Sequence, residues 1–193
     1  MNKPNNWDNT TTYGDFEPLE LGGHVCKIMK VEETKSRGGK DMIVISLDIA
    51  EGDQEGYYAN QYRNDKRDNK KWGCMVYQLV EDNEGNTNRG FKTFIDAVAK
   101  SNIGFDPNKI WDDKFALYFK DKLIGGVFGR EQYINRNGEL KWSTKCMHFR
   151  DVDTVREGVA VPEDKYLPEN KPQQRKTEFD SSSIYDDDGD LPF

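Results

Sequence analysis

The chain has 193 residues, of which 35% are hydrophobic and 33% are charged, and its mean hydropathy is −0.94. This length suits one domain with a tail better than two domains, and no stretch approaches the roughly 18 apolar residues that a transmembrane helix needs. The first six residues lack the apolar run of a signal peptide, so we expect a cytoplasmic protein.

The net charge of −7 weighs against nucleic-acid binding, because Lys and Arg supply most of the affinity for phosphates. The charge is unevenly distributed, however. Residues 162–193 carry nine acidic and four basic side chains, whereas the preceding 161 residues carry 26 acidic and 24 basic ones. A near-neutral domain presents a basic face when its carboxylates lie elsewhere. Composition therefore does not exclude a nucleic-acid partner.

Residues that commonly bind metals or act as nucleophiles are few and scattered. Cys26, Cys74 and Cys146 are odd in number and contain no C-x-x-C pair, which indicates reduced, packed thiols. His24 and His148 are the only histidines, and their separation is not that of metal ligands. The paired glycines match neither a phosphate-binding nor a dinucleotide-binding loop. We therefore expect a protein that is not an enzyme and that has no metal and no cofactor.

The first half of the chain is predicted to be mostly β-structure. Residues 1–20 are polar and turn-prone and are expected to form an irregular arm. Apolar alternation predicts one strand over residues 24–33 and a second over residues 42–50, joined by a glycine-containing hairpin loop. We expect a third strand at residues 57–62. Residues 72–80 are compatible with a further strand or with a buried excursion.

The second half begins with the clearest helical pattern, over residues 88–102. Asn88 suits the N-cap, and apolar side chains recur at spacings of three and four until Asn102 ends the pattern. Residues 123–134 and 140–152 then flank an Asn-Gly pair, which is a strong hairpin signal. A short turn is expected at residues 153–157.

This order, β-β-β-α-β-β, is that of a five-stranded OB-fold barrel, a mainly β fold with one main helix between its third and fourth strands. Other small β-rich domains share the order. We assign residues 21–157 to an OB-fold, nucleic-acid-binding domain. Residues 158–185 are rich in Pro, Gln and Ser and are predicted to be a disordered linker, which leaves residues 186–193 as a separate acidic tip.

Two segments combine cations with aromatic rings, as a single-stranded nucleic acid requires for phosphate contacts and base stacking. The first contains Tyr57, Tyr58, Tyr62, Arg63, Lys66, Arg67, Lys70, Lys71 and Trp72. The second contains Arg130, Tyr133, Arg136, Lys141, Trp142 and Lys145. Strand alternation places Lys141, Ser143, Lys145, Met147 and Phe149 on one face of the last strand and Trp142, Thr144, Cys146, His148 and Arg150 on the other. Either face is compatible with a groove, and any single aromatic is equally compatible with the core.

The last eight residues combine an acidic run with an apolar end. They comprise Asp186, Asp187, Asp188, Gly189, Asp190, Leu191, Pro192 and Phe193. Such a peptide is suited to docking, with its aromatic ring in an apolar pocket and its carboxylates on Lys and Arg around the rim. An ordinary acidic, disordered terminus is the alternative.

The tip resembles the C-terminal tail of bacterial and phage single-stranded DNA-binding proteins. The preceding domain is similar to single-stranded DNA-binding proteins of OB-fold type from phages and mobile elements of Gram-positive bacteria. The similar blocks are Gly22-Gly23 before Val25, Lys27 and Ile28; residues 48–52 before Tyr57 and Tyr58; Phe91, Phe94, Ala97 and Val98; and Gly126 and Gly129 before Tyr133. In this sequence Gly189 interrupts the acidic run and Leu191 replaces the commoner Ile, although charge and terminal ring remain. Neither the tetramer nor the wrapping mode of the bacterial housekeeping protein is carried over.

The resemblance implies a protein that binds and protects single-stranded DNA without strong sequence preference during replication or recombination. Its tip would recruit replication, recombination or repair enzymes, and assembly into a homo-oligomer is compatible with the sequence. One alternative is a protein-interaction adaptor or inhibitor with an OB-like barrel and no nucleic-acid binding. Another is a metal-dependent nuclease, which the scattered carboxylates do not favour.

Overall fold

The computed structural model describes residues 3–4 and 17–168, and in this part of the chain five strands form one antiparallel sheet. In chain order they are β1 (Gly22–Lys35), β2 (Asp41–Ile49), β3 (Met75–Leu79), β4 (Leu123–Ile134) and β5 (Leu140–Arg150). The helices are α1 (Tyr57–Asn64), α2 (Arg89–Ser101) and α3 (Val152–Glu157), with a 3₁₀ helix at Phe115–Phe119. The prediction of a mainly β protein is thus confirmed. Within residues 17–168, no helix combines the length and apolarity that spanning a membrane takes.

The sheet has the order β3-β2-β1-β4-β5, so β3 and β5 are its edges. The long strand β1 lies at the centre and uses different stretches for its two neighbours. It pairs with β4 from Gly22 to Lys27 and with β2 from Cys26 to Lys35. A register shift between Ile28 and Lys30 marks a bulge, which bends a strand and increases its twist. The bulge therefore bends β1 just beyond the stretch that pairs with β4.

Helix α2 forms where the sequence predicts it. The Asn88 side chain accepts hydrogen bonds from the backbone N–H groups of Gly90 (2.8 Å) and Phe91 (3.4 Å), as an N-cap does. The buried face of α2 consists of Phe91, Phe94, Ile95, Ala97 and Val98. Phe94 contacts Phe119 and Phe149 at ring-centroid distances of 5.1 and 5.3 Å. The helix thereby covers the apolar side of the sheet.

The prediction of a third strand at residues 57–62 is wrong, because this segment is helix α1 and the third strand lies at Met75–Leu79. Tyr favours strands in general, but two local features favour a helix here. Gly56 has φ 70°, a left-handed conformation that glycine adopts readily. The buried carboxylate of Asp48 accepts the N–H groups of Tyr58 (2.9 Å) and Ala59 (3.4 Å). A side chain ten residues away thus caps the helix.

The last hairpin is confirmed, with Ile134 paired to Leu140. The Asn135 N–H donates to the Glu139 carbonyl (2.9 Å), and Gly138 has φ 79°. The short turn expected after β5 is helix α3, capped by Asp151, whose side chain accepts the Thr154 N–H at 2.9 Å.

Candidate nucleic-acid interface

The first predicted segment forms a surface that we call the α1 patch: Tyr62, Arg63, Lys66, Arg67, Lys70, Lys71 and Trp72. Its centre is an aromatic pair, because the Tyr62 and Trp72 rings lie 5.6 Å apart. Trp72 is held by its indole N–H, which donates to the Leu47 carbonyl at 2.6 Å. Lys70 places its ammonium 4.4 Å from the centre of the Tyr62 ring. All three side chains are half-buried, so the protein fixes them while part of each stays accessible.

The approach of the chain to α1 depends on Gly73. A Cβ atom at this position would lie 2.7 Å from Cδ1 of Tyr58 and 2.8 Å from Oε1 of Gln61. Real Cβ atoms do not approach other atoms so closely, and the Tyr58 ring is buried and has little room to move. Gly73 therefore allows the residues before β3 to pack directly on the helix.

The cations of the α1 patch are mostly directed to solvent. Arg67 pairs with both carboxylate oxygens of Asp65, and this hydrogen bonding lowers the pKa of Asp65 to about 2. Arg63 donates to the Asn60 side chain at 3.0 Å. Lys66 and Lys71 are exposed, and among the described residues no carboxylate lies within ion-pair distance of either. These two ammonium groups remain available to an anionic ligand.

Two tyrosines of the predicted segment are placed differently. Tyr58 is only 4% exposed, and its ring stacks on Phe128 with centroids 6.4 Å apart. Burial raises its pKa well above the ordinary range. Tyr58 is therefore a core residue and presents no ring face to a base. Tyr57 is half-buried, and its hydroxyl accepts the Leu19 N–H at 2.9 Å, which ties the start of the domain to α1.

The second predicted segment forms the hairpin patch: Arg130, Tyr133, Arg136, Lys141, Trp142 and Lys145. The Arg130 guanidinium lies over the Trp142 ring, 5.1 Å from its centre. The same guanidinium makes a two-point ion pair with the carboxylate of Asp164, in which Nε donates to Oδ1 at 2.9 Å and Nη2 donates to Oδ2. Tyr166 contacts Trp142 edge to face at 5.2 Å.

Strand pairing shows which face of β5 each residue occupies. Arg130 and Gln132 follow the buried Phe128 by two and four residues along β4, so all three share one face. Their partners on β5 are Thr144 and Trp142. Trp142 and Arg130 therefore lie on the same face of the sheet as Phe128, at the end of the hairpin beyond the buried core. Tyr133, Lys141 and Lys145 lie on the opposite side.

The predicted alternation does not hold along the whole of β5. A register shift opposite Val127 and Phe128 inserts Met147 as an extra residue. As a result, Phe149 faces the core together with Cys146, although alternation alone assigns them to opposite faces. A bulge is the reason, since it reverses alternation from that point on.

Among the described residues, three of the four hairpin cations, Arg130, Lys141 and Lys145, pair with carboxylates, whereas in the α1 patch only Arg67 does. Lys145 lies 2.7 Å from Glu131, and Lys141 lies 3.3 Å from Glu139. Glu131 also pairs with Lys165 at 3.2 Å. Burial alone would raise the pKa of Glu131, but its ion pairs with the two lysines outweigh this effect and lower the pKa.

The Tyr58–Phe128 stack connects α1 to β4, so the two segments belong to one packed unit. Sequence reasoning missed Asp164 and Tyr166, which lie in the predicted linker yet contact the hairpin patch. The available signal was apolar: Val159-Ala160-Val161 and Tyr166-Leu167 interrupt the polar residues of this stretch. The predicted acidic tip, residues 186–193, and most of the predicted arm lie outside the described residues.

Cys26, Cys74 and Cys146 lie near one another inside the domain. A Cβ atom on Gly126 would lie 3.0 Å from the Cys26 sulfur and 3.3 Å from that of Cys146. Burial raises the pKa of all three thiols, that of Cys74 to about 12. The thiols are therefore protonated at neutral pH and weakly nucleophilic. Among residues 3–4 and 17–168, no group of His, Cys, Asp and Glu is arranged to hold a metal ion.

Neither a known protein-family model nor a curated protein sequence matches this chain.

Proposed function

We propose that this protein binds single-stranded DNA through an OB-fold domain, as do the proteins of phages and mobile elements that it resembles. The strand order supports this assignment. An OB-fold has a five-stranded antiparallel Greek-key sheet with a helix between its third and fourth strands, and α2 lies between β3 and β4. The sheet edges β3 and β5 are the two strands that would adjoin in a closed barrel.

The observation that carries the proposal is the arrangement of Tyr62, Lys70 and Trp72. Two rings in contact, with an ammonium beside them, provide surfaces for stacking and a charge for a phosphate. Base–aromatic stacking contributes on the order of 1–3 kcal/mol per base and is tolerant of sequence, because every base has a π-face. Lys66 and Lys71 extend the positive surface. Binding should therefore show little sequence preference.

The hairpin patch supplies a second contact. Trp142 is 38% exposed, so part of its ring is accessible beside Arg130 on the core-facing side of the sheet. Tyr133 is 40% exposed and lies on the opposite side. Arg136 lies at the hairpin tip and is exposed. A strand that contacts both patches would be held by stacking at two places and by phosphate contacts beside each.

The acidic tip would serve a different purpose. Residues 186–193 carry four carboxylates and an aromatic ring, which suits them to an apolar pocket with a basic rim on a replication, recombination or repair enzyme. Deletion of residues 186–193 should leave DNA affinity unchanged or raise it, because negative charge near the phosphates is lost. Recruitment of partner enzymes should disappear. A large loss of DNA affinity on this deletion would contradict the assignment of the tip.

The proposal is tested by titrating the full chain with a 30-nucleotide oligo-dT at two salt concentrations while following tryptophan fluorescence. We expect quenching by stacked bases, and we expect affinity to fall as salt rises because phosphate contacts release counterions. A protein-interaction adaptor would show no salt-dependent quenching. A nuclease would cleave the oligonucleotide when magnesium is added, and either of these results would refute the proposal.

A further inference from the structure

Residues 161–168, which we call the strap, run along β4 within the predicted linker. The Lys165 N–H donates to the Arg130 carbonyl at 2.8 Å, and the Gln132 N–H donates to the Lys165 carbonyl at 2.9 Å. This is a parallel bridge between Glu131 and Lys165. The pairing of β4 with β1 ends at Phe128. Beyond that residue, the strap hydrogen-bonds to the side of the β4 backbone that β1 no longer occupies.

Two side chains of the strap contact the hairpin patch directly. Asp164 pairs with Arg130 through two hydrogen bonds, and the carboxyl side chain is less exposed (20%) than that of Arg130 (46%). Tyr166 packs against Trp142. A two-point pair with a carboxylate fixes the plane of a guanidinium. Asp164 therefore holds Arg130 in place over the Trp142 ring.

We propose that the strap is part of the surface that binds single-stranded DNA, with Asp164 as a positioning residue for Arg130 and Tyr166 as an additional ring beside Trp142. This inference rests on the proposed function and extends it to residues assigned to a linker. A guanidinium has five N–H donors. Two of those of Arg130 face Asp164, so three remain for a phosphate.

The opposite arrangement would be a strap that covers the site and hinders DNA. The two roles predict opposite effects for the loss of the Asp164 charge. Simple electrostatics and a covering strap both predict tighter binding to phosphates when a carboxylate is removed. A positioning role predicts weaker binding, because Arg130 then loses its fixed orientation.

The test compares Asp164→Asn with Glu163→Gln in the full chain. Both changes remove one negative charge. Glu163 is exposed, whereas Asp164 is the residue that pairs with Arg130, so only Asp164→Asn removes that pair. For 30-nucleotide oligo-dT, measured at a temperature where both variants are folded, we expect Asp164→Asn to bind about threefold to tenfold more weakly than Glu163→Gln. Equal or tighter binding by Asp164→Asn overturns the positioning role.

Two further variants separate positioning from a general loss of structure. In an Arg130→Ala background, Asp164→Asn should cause no additional loss of affinity, because a positioning residue acts only through its partner. Tyr166→Ala should weaken binding about tenfold while Tyr166→Phe keeps the ring and the affinity. An additive loss in the double variant, or equal effects of Ala and Phe, refutes the inference.

The result also distinguishes this inference from the function on which it rests. If the unaltered protein binds no oligo-dT, both fail. If it binds and the Asp164 and Glu163 variants behave alike, only the inference fails.

Discussion

The α1 patch and the hairpin patch contain the same kinds of side chain, but the protein arranges their charges differently. In the α1 patch, the exposed Lys66 and Lys71 have no carboxylate partner among the described residues. In the hairpin patch, Arg130, Lys141 and Lys145 each pair with a carboxylate. A count of Lys and Arg in the sequence does not separate these cases.

This difference assigns different tasks to the two patches. Unpaired ammonium groups attract phosphates over the Debye length, which shortens as the salt concentration rises. The α1 patch should therefore govern the salt dependence of binding. Paired and oriented groups contribute less net charge and more fixed geometry. The hairpin patch should therefore respond to changes in shape more than to changes in charge.

The largest expected effect concerns the core beneath both patches. Tyr58→Ala removes the ring that stacks on Phe128, and truncation of a buried aromatic residue costs about 3–5 kcal/mol of unfolding free energy. Urea unfolding followed by circular dichroism measures this loss. Tyr58→Phe keeps the ring and is the matched control. If Tyr58→Ala instead leaves stability intact and weakens DNA binding, the assignment of Tyr58 to the core is wrong.

A charge comparison tests the patches against each other. Replacing Lys66, Lys70 and Lys71 with Gln should lower the slope of log affinity against log salt by about 2, since each phosphate contact contributes roughly 0.7 for a single strand. At 0.1 M salt this corresponds to about 100-fold weaker binding. The matched change, Lys141→Gln with Lys145→Gln, should alter the slope much less, because both lysines already have carboxylate partners. Equal effects per lysine would remove the distinction between the patches.

The close packing behind the α1 patch gives a third prediction. Gly73→Ala places a methyl group against Tyr58 and Gln61, and overpacking of this kind costs about 1–3 kcal/mol. Gly38→Ala is the control, because a Cβ atom there would lie 3.9 Å from Ser36 Oγ, which is ordinary van der Waals contact. Thermal unfolding of both variants should separate them clearly. Equal melting temperatures would mean that Gly73 does not pack tightly against Tyr58 and Gln61 of α1.

The smallest effect concerns Glu131, which pairs with Lys145 and with Lys165 of the strap. Its pKa is lowered in the folded protein, so its contribution to stability is complete above the ordinary Glu pKa and is lost as pH falls through the lower, folded value. The lysine side chains are 51% and 58% exposed, and solvent screening limits the contribution to less than about 1 kcal/mol.

Urea titrations of the wild type and Glu131→Gln at pH 7 and pH 3 measure this contribution. The wild type should be the more stable protein at pH 7, and the difference should shrink at pH 3. A difference that stays constant between the two pH values would show that the ion pairs do not contribute.

Local patterns predicted most of the fold. Helix α2 and the β4–β5 hairpin follow from Asn88, from apolar spacing and from an Asn-Gly turn, all of which act over a few residues. The prediction of a strand at residues 57–62 is wrong because Asp48, ten residues before Tyr58, caps α1. Propensity describes a residue alone and does not include such a partner.

The candidate site was predictable in composition but not in arrangement. The sequence indicated which segments combine rings with cations. It did not indicate that Tyr58 is buried, because the burial of this α1 side chain depends on Phe128 in the distant strand β4. It also did not reveal the contact between Arg130 and Asp164, which are 34 positions apart. Pairing across that distance is set by how the strap lies on β4.

The most direct test of the account is the affinity of Tyr62→Ala and Tyr62→Phe for oligo-dT, measured side by side with the unaltered protein. Tyr62 is the ring that contacts both Trp72 and Lys70. If bases stack on the α1 patch, Tyr62→Ala should bind about 10- to 100-fold more weakly, while Tyr62→Phe should remain near the wild type. Undiminished binding by Tyr62→Ala, with the fold intact, would contradict the proposal that single-stranded DNA lies on this surface.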